Sequence, residues 1–202
     1  MSAKPDFVHL HLHTEFSLLD GACRLDELVD EGVRLGMKAM AITDHGNMFG
    51  AVHFHDTCRE KGLKPILGCE VYVAPASRFE RQAQSASDAY NHFTLLATSD
   101  AGYHNLIKLV SAGYLEGFYH RPRIDKDLLA KHSEGLVGLS GCLSGEIAQH
   151  VLAGAEDAAL ASVGVFSEIL GKDRFYLEVM EHGIPDQRRV NQGLLRLRQK
   201  TG

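Results

Sequence analysis

No stretch of this sequence is apolar for long enough to span a bilayer. The first residues, Met1 to Asp6, have neither an apolar signal core nor a cleavage site. The expectation is a cytoplasmic protein with no membrane partner. Cysteine is sparse: Cys23, Cys58, Cys69 and Cys142 are widely spread and form no CxxC pair, which excludes a zinc ribbon or a thioredoxin-type site. Without a secretion signal, free thiols are expected rather than disulfides. A basic excess is also missing, since the net charge is −5. A stand-alone DNA binder normally carries a basic footprint. Any nucleic acid must therefore be held by a local patch, by bound cations, or by other parts of a larger protein. The chain has no serine nucleophile elbow, HExxH helix, Walker loop or GxGxxG. Serine hydrolase, zincin, nucleotide-hydrolase and dinucleotide-binding readings fall away.

What is present is an ordinary globular balance, 45% hydrophobic and 23% charged over 202 residues, enough for one domain with a sizeable core. There is no sequence repeat and no low-complexity segment. Twelve histidines stand out, and imidazole is the commonest metal ligand.

Short apolar runs alternate with amphipathic segments. Strands are predicted at Phe7 to His13, Lys38 to Thr43, Pro65 to Val73, Phe93 to Ala97, Gly135 to Leu139 and Phe175 to Met180. Helices are predicted at Leu25 to Leu35, with Gly36 as its stop, and at Ala51 to Lys61, ended by Gly62. Further helices are predicted at Ala101 to Leu115, Lys126 to Lys131, Ile147 to Leu152, Asp157 to Leu170 and Gln187 to Gln199. The stretch from Ser77 to Asn91 is the one long loop candidate. A repeated strand–helix order argues for an α/β fold with a parallel sheet or barrel. Six strands are too few for an eight-stranded barrel, and a repeat that stops after a helix looks interrupted.

The strongest chemical signal is His9-Leu10-His11-Leu12-His13-Thr14. Alternate strand residues share a face, so the three imidazoles are expected to project together, and closely spaced imidazoles suit a divalent ion. Asp20-Gly21 follows; Asp20 is either a turn residue or a carboxylate able to bridge ions. Thr43-Asp44-His45-Gly46 comes directly after the second strand, where Asp44 and His45 either ligate or cap a turn. Glu70 lies inside an apolar strand, which is costly unless the carboxylate is ion-paired or metal-bound. His92 opens the fourth strand, and Cys142 follows the fifth. Each has a bland structural reading when taken singly; the case rests on ligand-type residues recurring along successive strands. Metal ions in such a site supply a bridging hydroxide and clamp a phosphate ester for in-line attack. His53, His55, His104, His132 and His150 read as helix residues outside any cluster. Tyr119-His120-Arg121-Pro122-Arg123 is a small basic loop. Arg121 and Arg123 are candidates for touching phosphate, although such a loop is more often merely solvated.

The ordered set HxHT, TDHG, GxE, a later His, then a Cys after a strand resembles the PHP (polymerase and histidinol phosphatase) family. Within that family, HLHLHTEFSLLDG, TDHGNMFG, KPILGCE, PRID and EGLVGLSG are similar to the N-terminal modules of bacterial DNA polymerase III alpha subunits. The resemblance implies a distorted (β/α)7 TIM-like barrel occupied by residues 1–202 and cut before its last strand, which would carry an Asp-x-His pair. It implies up to three divalent ions, zinc or manganese, held by His11, His13, Asp20, His45, Glu70, His92 and Cys142, with Asp44 as a supporting partner. It implies a metal-dependent phosphoesterase with 3′–5′ exonuclease proofreading activity, within a DNA-directed DNA polymerase. Its partners would be DNA through the rest of the polymerase, a separate proofreading exonuclease subunit and other replisome subunits. Some modules of this kind have lost ligands and serve as silent scaffolds; all seven positions that can be checked here carry ligand-type residues, which favours the active group. A stand-alone phosphatase of the histidinol-phosphate type is the other alternative. The polymerase-like stretches PRID and EGLVGLSG, which have no ligand role, argue against it.

Overall fold

Helix boundaries follow the local chemistry closely in the computed structural model, which describes residues 7–83 and 85–201. Helix α1 (Leu25–Arg34) buries Leu25, Val29 and Gly32, keeps Asp26 and Glu27 in its first turn and Arg34 in its last, and so complements its own dipole. Helix α2 (Ala51–Glu60) buries Ala51, Phe54 and Cys58. Both helices are followed by a glycine with positive φ, Gly36 at 77° and Gly62 at 74°, a conformation that a Cβ disfavours. Helix α3 (Asp100–Leu115) is capped by the Ser99 hydroxyl, which accepts from Gly102 N–H. Helix α4 (Lys126–Lys131) is capped by Asp125, which accepts from Leu128 N–H. Helices α5 (Glu146–Leu152), α6 (Glu156–Leu170) and α7 (Pro185–Thr201) complete the set. No helix among the described residues is long and apolar enough to cross a membrane.

The strands are β1 (Ala39–Ile42), β2 (Lys64–Val73), β3 (Asn91–Ala97), β4 (Arg123–Ile124), β5 (Leu136–Leu139) and β6 (Phe175–Tyr176). They form one mixed sheet in the order β1-β2-β3-β5-β6, with β4 paired to β2. No ladder joins β6 back to β1 among the described residues, so the sheet is open.

Three expectations are corrected. The sheet is not all parallel: β3 runs antiparallel to both β2 and β5. A parallel return needs a crossover, usually a helix. Among the described residues between Val73 and Asn91 there is only loop and a short 3₁₀ turn at Ala86–Ala89, so the chain comes straight back. The histidine-rich segment is not a regular strand either. It bends at Leu10 and His11 and touches β1 through two backbone bonds, Ala41 N–H to His9 O and Thr43 N–H to Leu12 O, both 2.8 Å. Finally, β6 stops at Tyr176, because β5 offers partners only through Gly138 and Leu139 before it turns away. Beyond that point Ser140 Oγ accepts the Glu178 N–H at 2.9 Å, replacing a ladder bond and fixing the direction of the extended chain.

The main core lies between the sheet and α3 to α7, where Phe93, Phe166 and Phe175 pack together and the first two rings stack at 4.3 Å. Burying each such ring contributes about 1.5–3 kcal/mol. A second cluster joins α1 and α2 to β1, and a third, built on Ala41, Leu96 and Leu139, is smaller. These three clusters hold rigid the strands from which the polar site projects.

Candidate metal centre

Four imidazoles converge on one buried carboxylate. Glu70 sits in β2 with no exposed surface, and the imidazoles of His11, His13, His45 and His92 surround it. His11 Nε2 and His92 Nδ1 are in direct contact with its two oxygens. His13 Nε2 stands 3.3 Å from Oε2, and His45 Nδ1 stands 3.5 Å from Oε1. The His13 and His45 rings stack at 4.0 Å.

Sheet topology explains the convergence. His11 and His13 lie beside β1. His45 follows β1 and is bridged to Glu70, with Gly46 N–H donating to Glu70 O at 2.8 Å. His92 begins β3, and because β3 is antiparallel its beginning meets the end of β2, with Tyr72 opposite His92. The strand reversal that the sequence reading missed is thus what brings His92 to the site.

The ligating atoms fall into two groups that share Glu70: His11, His13 and Glu70, and His45, Glu70 and His92. Within each group the atoms lie within 4.8 Å of one another. Asp20 joins at the edge, its Oδ2 being 2.9 Å from His45 Nε2, and Cys142 Sγ is 3.5 Å from His92 Nδ1. All seven residues expected as ligands are therefore in one neighbourhood. His9 is not among them. It belongs to neither group and packs edge-on against Phe7, because the bend at Leu10 and His11 breaks the alternation.

Asp44 is buried and does a different job. Its carboxylate accepts from Thr14 N–H (2.6 Å), Thr14 Oγ1 (2.7 Å) and Ser17 Oγ (2.8 Å). It fixes the loop that leads to Asp20.

Sequence reasoning missed Glu178. Its Oε1 lies 2.9 Å from His11 Nδ1, and Thr94 Oγ1 is 3.3 Å from the same nitrogen. The signal was available: a Glu within the apolar run FYLEVM, the same anomaly that drew attention to Glu70.

Burial disfavours charge on His11, but the hydrogen bonds and charges of Glu178 and Glu70 outweigh it and raise the imidazole to about 10. Burial also opposes the charge on His92, which Cys142 and Glu70 raise to about 9. Burial pulls His45 down. Glu70 itself is penalised by burial, yet bonding to His11, His13 and His92 holds it well below the usual carboxylate range.

The donor set fits divalent cations. His13 Nδ1, His45 Nδ1, Glu70 Oε1 and Glu178 Oε2 are buried without a hydrogen-bond partner; Glu70 Oε1 touches His92 without hydrogen-bond geometry. Orphaned buried acceptors are costly, and a cation satisfies several at once. Imidazole, carboxylate and one thiol are the donors of a zinc or manganese type of site.

The site opens into a cavity of about 460 Å³ bounded by Asp20, His45, Tyr72, His92 and Arg121. A larger concavity of about 800 Å³ lies at the opposite end of β2, beside Leu10, Ile66 and Val137, away from both ligand groups. Of the two candidate phosphate contacts, Arg121 borders the site cavity and Arg123 does not. Arg123 is buried and spends four of its five N–H groups on backbone carbonyls, those of Gly117, Ala89, Arg78 and Glu80, which makes it a structural residue. His55 and His104 bond locally on their helices, His53 on α2 pairs with Asp26 on α1, and all four cysteines are free thiols.

Comparison with known proteins finds relatives along the whole chain. The family model described as PHP domain matches residues 9–182. The DNA polymerase III subunit alpha of Treponema pallidum is 44% identical over 99% of this chain, and that of Thermus aquaticus 47% identical over 100%. The chain spans 17% of the length of each. A solved structure from Bifidobacterium adolescentis, described as a proposed metal-dependent phosphoesterase, superposes with a TM-score of 0.54 at 16% identity, covering 98% of this chain and 84% of that one. At that identity the likeness speaks for the fold alone.

Proposed function

Because this chain belongs to the PHP family, whose match covers most of its length, we propose that it is the phosphoesterase module of a replicative DNA polymerase alpha subunit. In this reading it releases nucleotides from DNA 3′ ends and so proofreads. The observation that carries the reading is the pair of ligand groups sharing Glu70, with orphaned acceptors on His13, His45 and Glu70. Up to three divalent ions, zinc or manganese, would be held by His11, His13, Asp20, His45, Glu70, His92 and Cys142. Bound there, such ions would activate water and neutralise charge on a phosphoester.

The chain's own residues prepare that chemistry. Glu70, shared by both groups, would serve as a common carboxylate donor. Glu178 orients His11 through Nδ1, leaving Nε2 as the ligating atom. Asp44 holds Thr14 and Ser17, and so sets the reach of Asp20 towards His45. Asp20 and Cys142, beside His45 and His92 at the margins, would add further donors to the ions.

The open sheet is, on this reading, part of a distorted barrel of seven strand–helix units, with residues 1–202 belonging to one PHP domain. The polymerase setting follows from relatives that match along the whole chain and bear that name. It also supplies the cytoplasmic location and the partners: DNA, a separate proofreading exonuclease subunit and other replisome subunits.

The test uses the complete natural protein that contains this chain. Nucleotide release from a labelled DNA 3′ end should need divalent metal, stop on chelation, and fall by at least about a hundredfold in His13→Ala. A metal-loaded protein that leaves 3′ ends and model phosphodiesters intact is a scaffold, and the catalytic reading is then wrong.

A further inference from the structure

We propose that Arg121 and the apolar rim facing it form a nucleotide subsite: the guanidinium takes the phosphate, and the rim takes the terminal base. This rests on the phosphoesterase reading and deepens it.

Arg121 is held ready without a counter-charge. Among the described residues its one side-chain hydrogen bond is a long contact of 3.4 Å to the carbonyl of its neighbour His120. Its guanidinium lies over the Tyr72 ring at 5.9 Å, and that same ring lies 5.2 Å from His92 and 6.1 Å from His45. One aromatic ring therefore links the cation to the ligand groups. An unpaired guanidinium matches phosphate in shape and charge.

The turn that presents Arg121 is strained and pinned. His120 has φ of 60°, and it is the one non-glycine residue with positive φ among the described residues. Such a conformation persists only where its surroundings over-determine it, and it clusters at functional sites. Here Arg123 supplies the restraint. It lies over the Tyr119 ring at 5.0 Å while its donors grip four backbone carbonyls. One arginine of the Arg-Pro-Arg motif anchors the turn; the other faces the cavity.

The rim is the independent observation. Leu18 (88% exposed), Leu19 (82%), Phe49 (70%) and Phe118 (51%) line the same cavity as Arg121 and His92. Large apolar side chains so exposed around a concavity mark a binding surface. A nucleobase offers a flat π-face and tolerates any apolar partner, while its phosphate needs a cation nearby. Inorganic phosphate would use only the cation, and an apolar peptide only the rim. A nucleotide uses both.

The probes are thymidine 5′-monophosphate and inorganic phosphate, titrated calorimetrically into the complete natural protein, both metal-loaded and chelated. Arg121→Gln should weaken both probes at least tenfold, and Arg121→Lys, which keeps the charge, by less. Leu18→Ser combined with Leu19→Ser should weaken the nucleotide several-fold and leave phosphate unchanged. The proposal is overturned if Arg121→Gln binds the nucleotide like wild type, or if the rim variant loses both probes equally. A protein that binds the nucleotide through Arg121 but cleaves no phosphoester supports the subsite and defeats the catalytic reading. Cleavage combined with Arg121-independent nucleotide binding does the reverse.

Discussion

Glu178 Oε1 lies 2.9 Å from His11 Nδ1, although 167 positions separate the two residues in the chain. The contact leaves Nε2 of His11 facing Glu70. It also joins the chain just past the last strand of the sheet to the segment beside the first.

Glu178→Gln keeps the shape and removes the charge that holds the imidazole. Loss of such an orienting carboxylate typically lowers metal affinity about 10–100-fold. Competition with a chromophoric chelator measures this directly. Unchanged affinity would mean that Glu178 does not position a ligand.

Chelation should lower thermal stability, because any ion that binds only the folded state adds RT ln(1 + [L]/Kd), about 2.7 kcal/mol at a hundred times Kd. Re-addition of zinc or manganese should restore the melting temperature. In the chelated protein, Glu70→Ala should cost about 3–5 kcal/mol, the usual result of stripping one partner from a buried ion pair. Urea midpoints of both forms test the two statements together. A Glu70→Ala protein as stable as wild type after chelation would show that the imidazoles do not depend on the carboxylate.

Arg123→Met should be structural in effect. It removes the donors to four carbonyls, and each buried acceptor left without a partner costs about 1–3 kcal/mol. A destabilisation of at least about 3 kcal/mol is expected in denaturant titration, whereas Arg121→Met should change stability by less than about 1 kcal/mol. Equal costs at the two positions would contradict the division of labour between them.

The acid limb of stability should carry a contribution from Asp125. Its carboxylate accepts from Arg78 N–H, Leu128 N–H and the Arg78 guanidinium, which together outweigh burial and lower its pKa. A folded-state value below the unfolded one stabilises the protein above the unfolded value, about 3.9, and that stability is lost as pH falls through the folded value. Asp125→Asn keeps a helix cap but not the charge. The gap in urea midpoint between wild type and Asp125→Asn should be wide at neutral pH and narrow below about pH 4. A gap that does not change with pH would assign the effect to packing alone.

Local pattern carried much of the fold. The periodicities that predict α1 and α2 end at Gly36 and Gly62, and both helices end there. The predicted strand at Phe7 to His13 failed because alternation of residue types is only a necessary condition for a strand; the backbone bends at Leu10 and His11, and His9 turns away from the site. The short β4 was invisible, since two residues, Arg123 and Ile124, carry no period.

By itself the sequence determined the chemistry: which positions offer imidazole, carboxylate and thiol, and that a Glu inside an apolar strand must be neutralised by a partner. Side-chain type is written at each position and needs no distant contact to be read. Only the tertiary structure decided that β3 runs backwards and delivers His92, that Glu178 reaches His11, and that Arg123 is consumed while Arg121 is not. Those outcomes depend on groups brought from afar, three of the four carbonyls on Arg123 from 34 to 45 residues away and the Glu178 carboxylate on His11 from 167 away. Hydrogen bonds act over a few ångströms of space whatever the separation along the chain, so a local pattern can mark a residue that needs a partner but cannot name that partner.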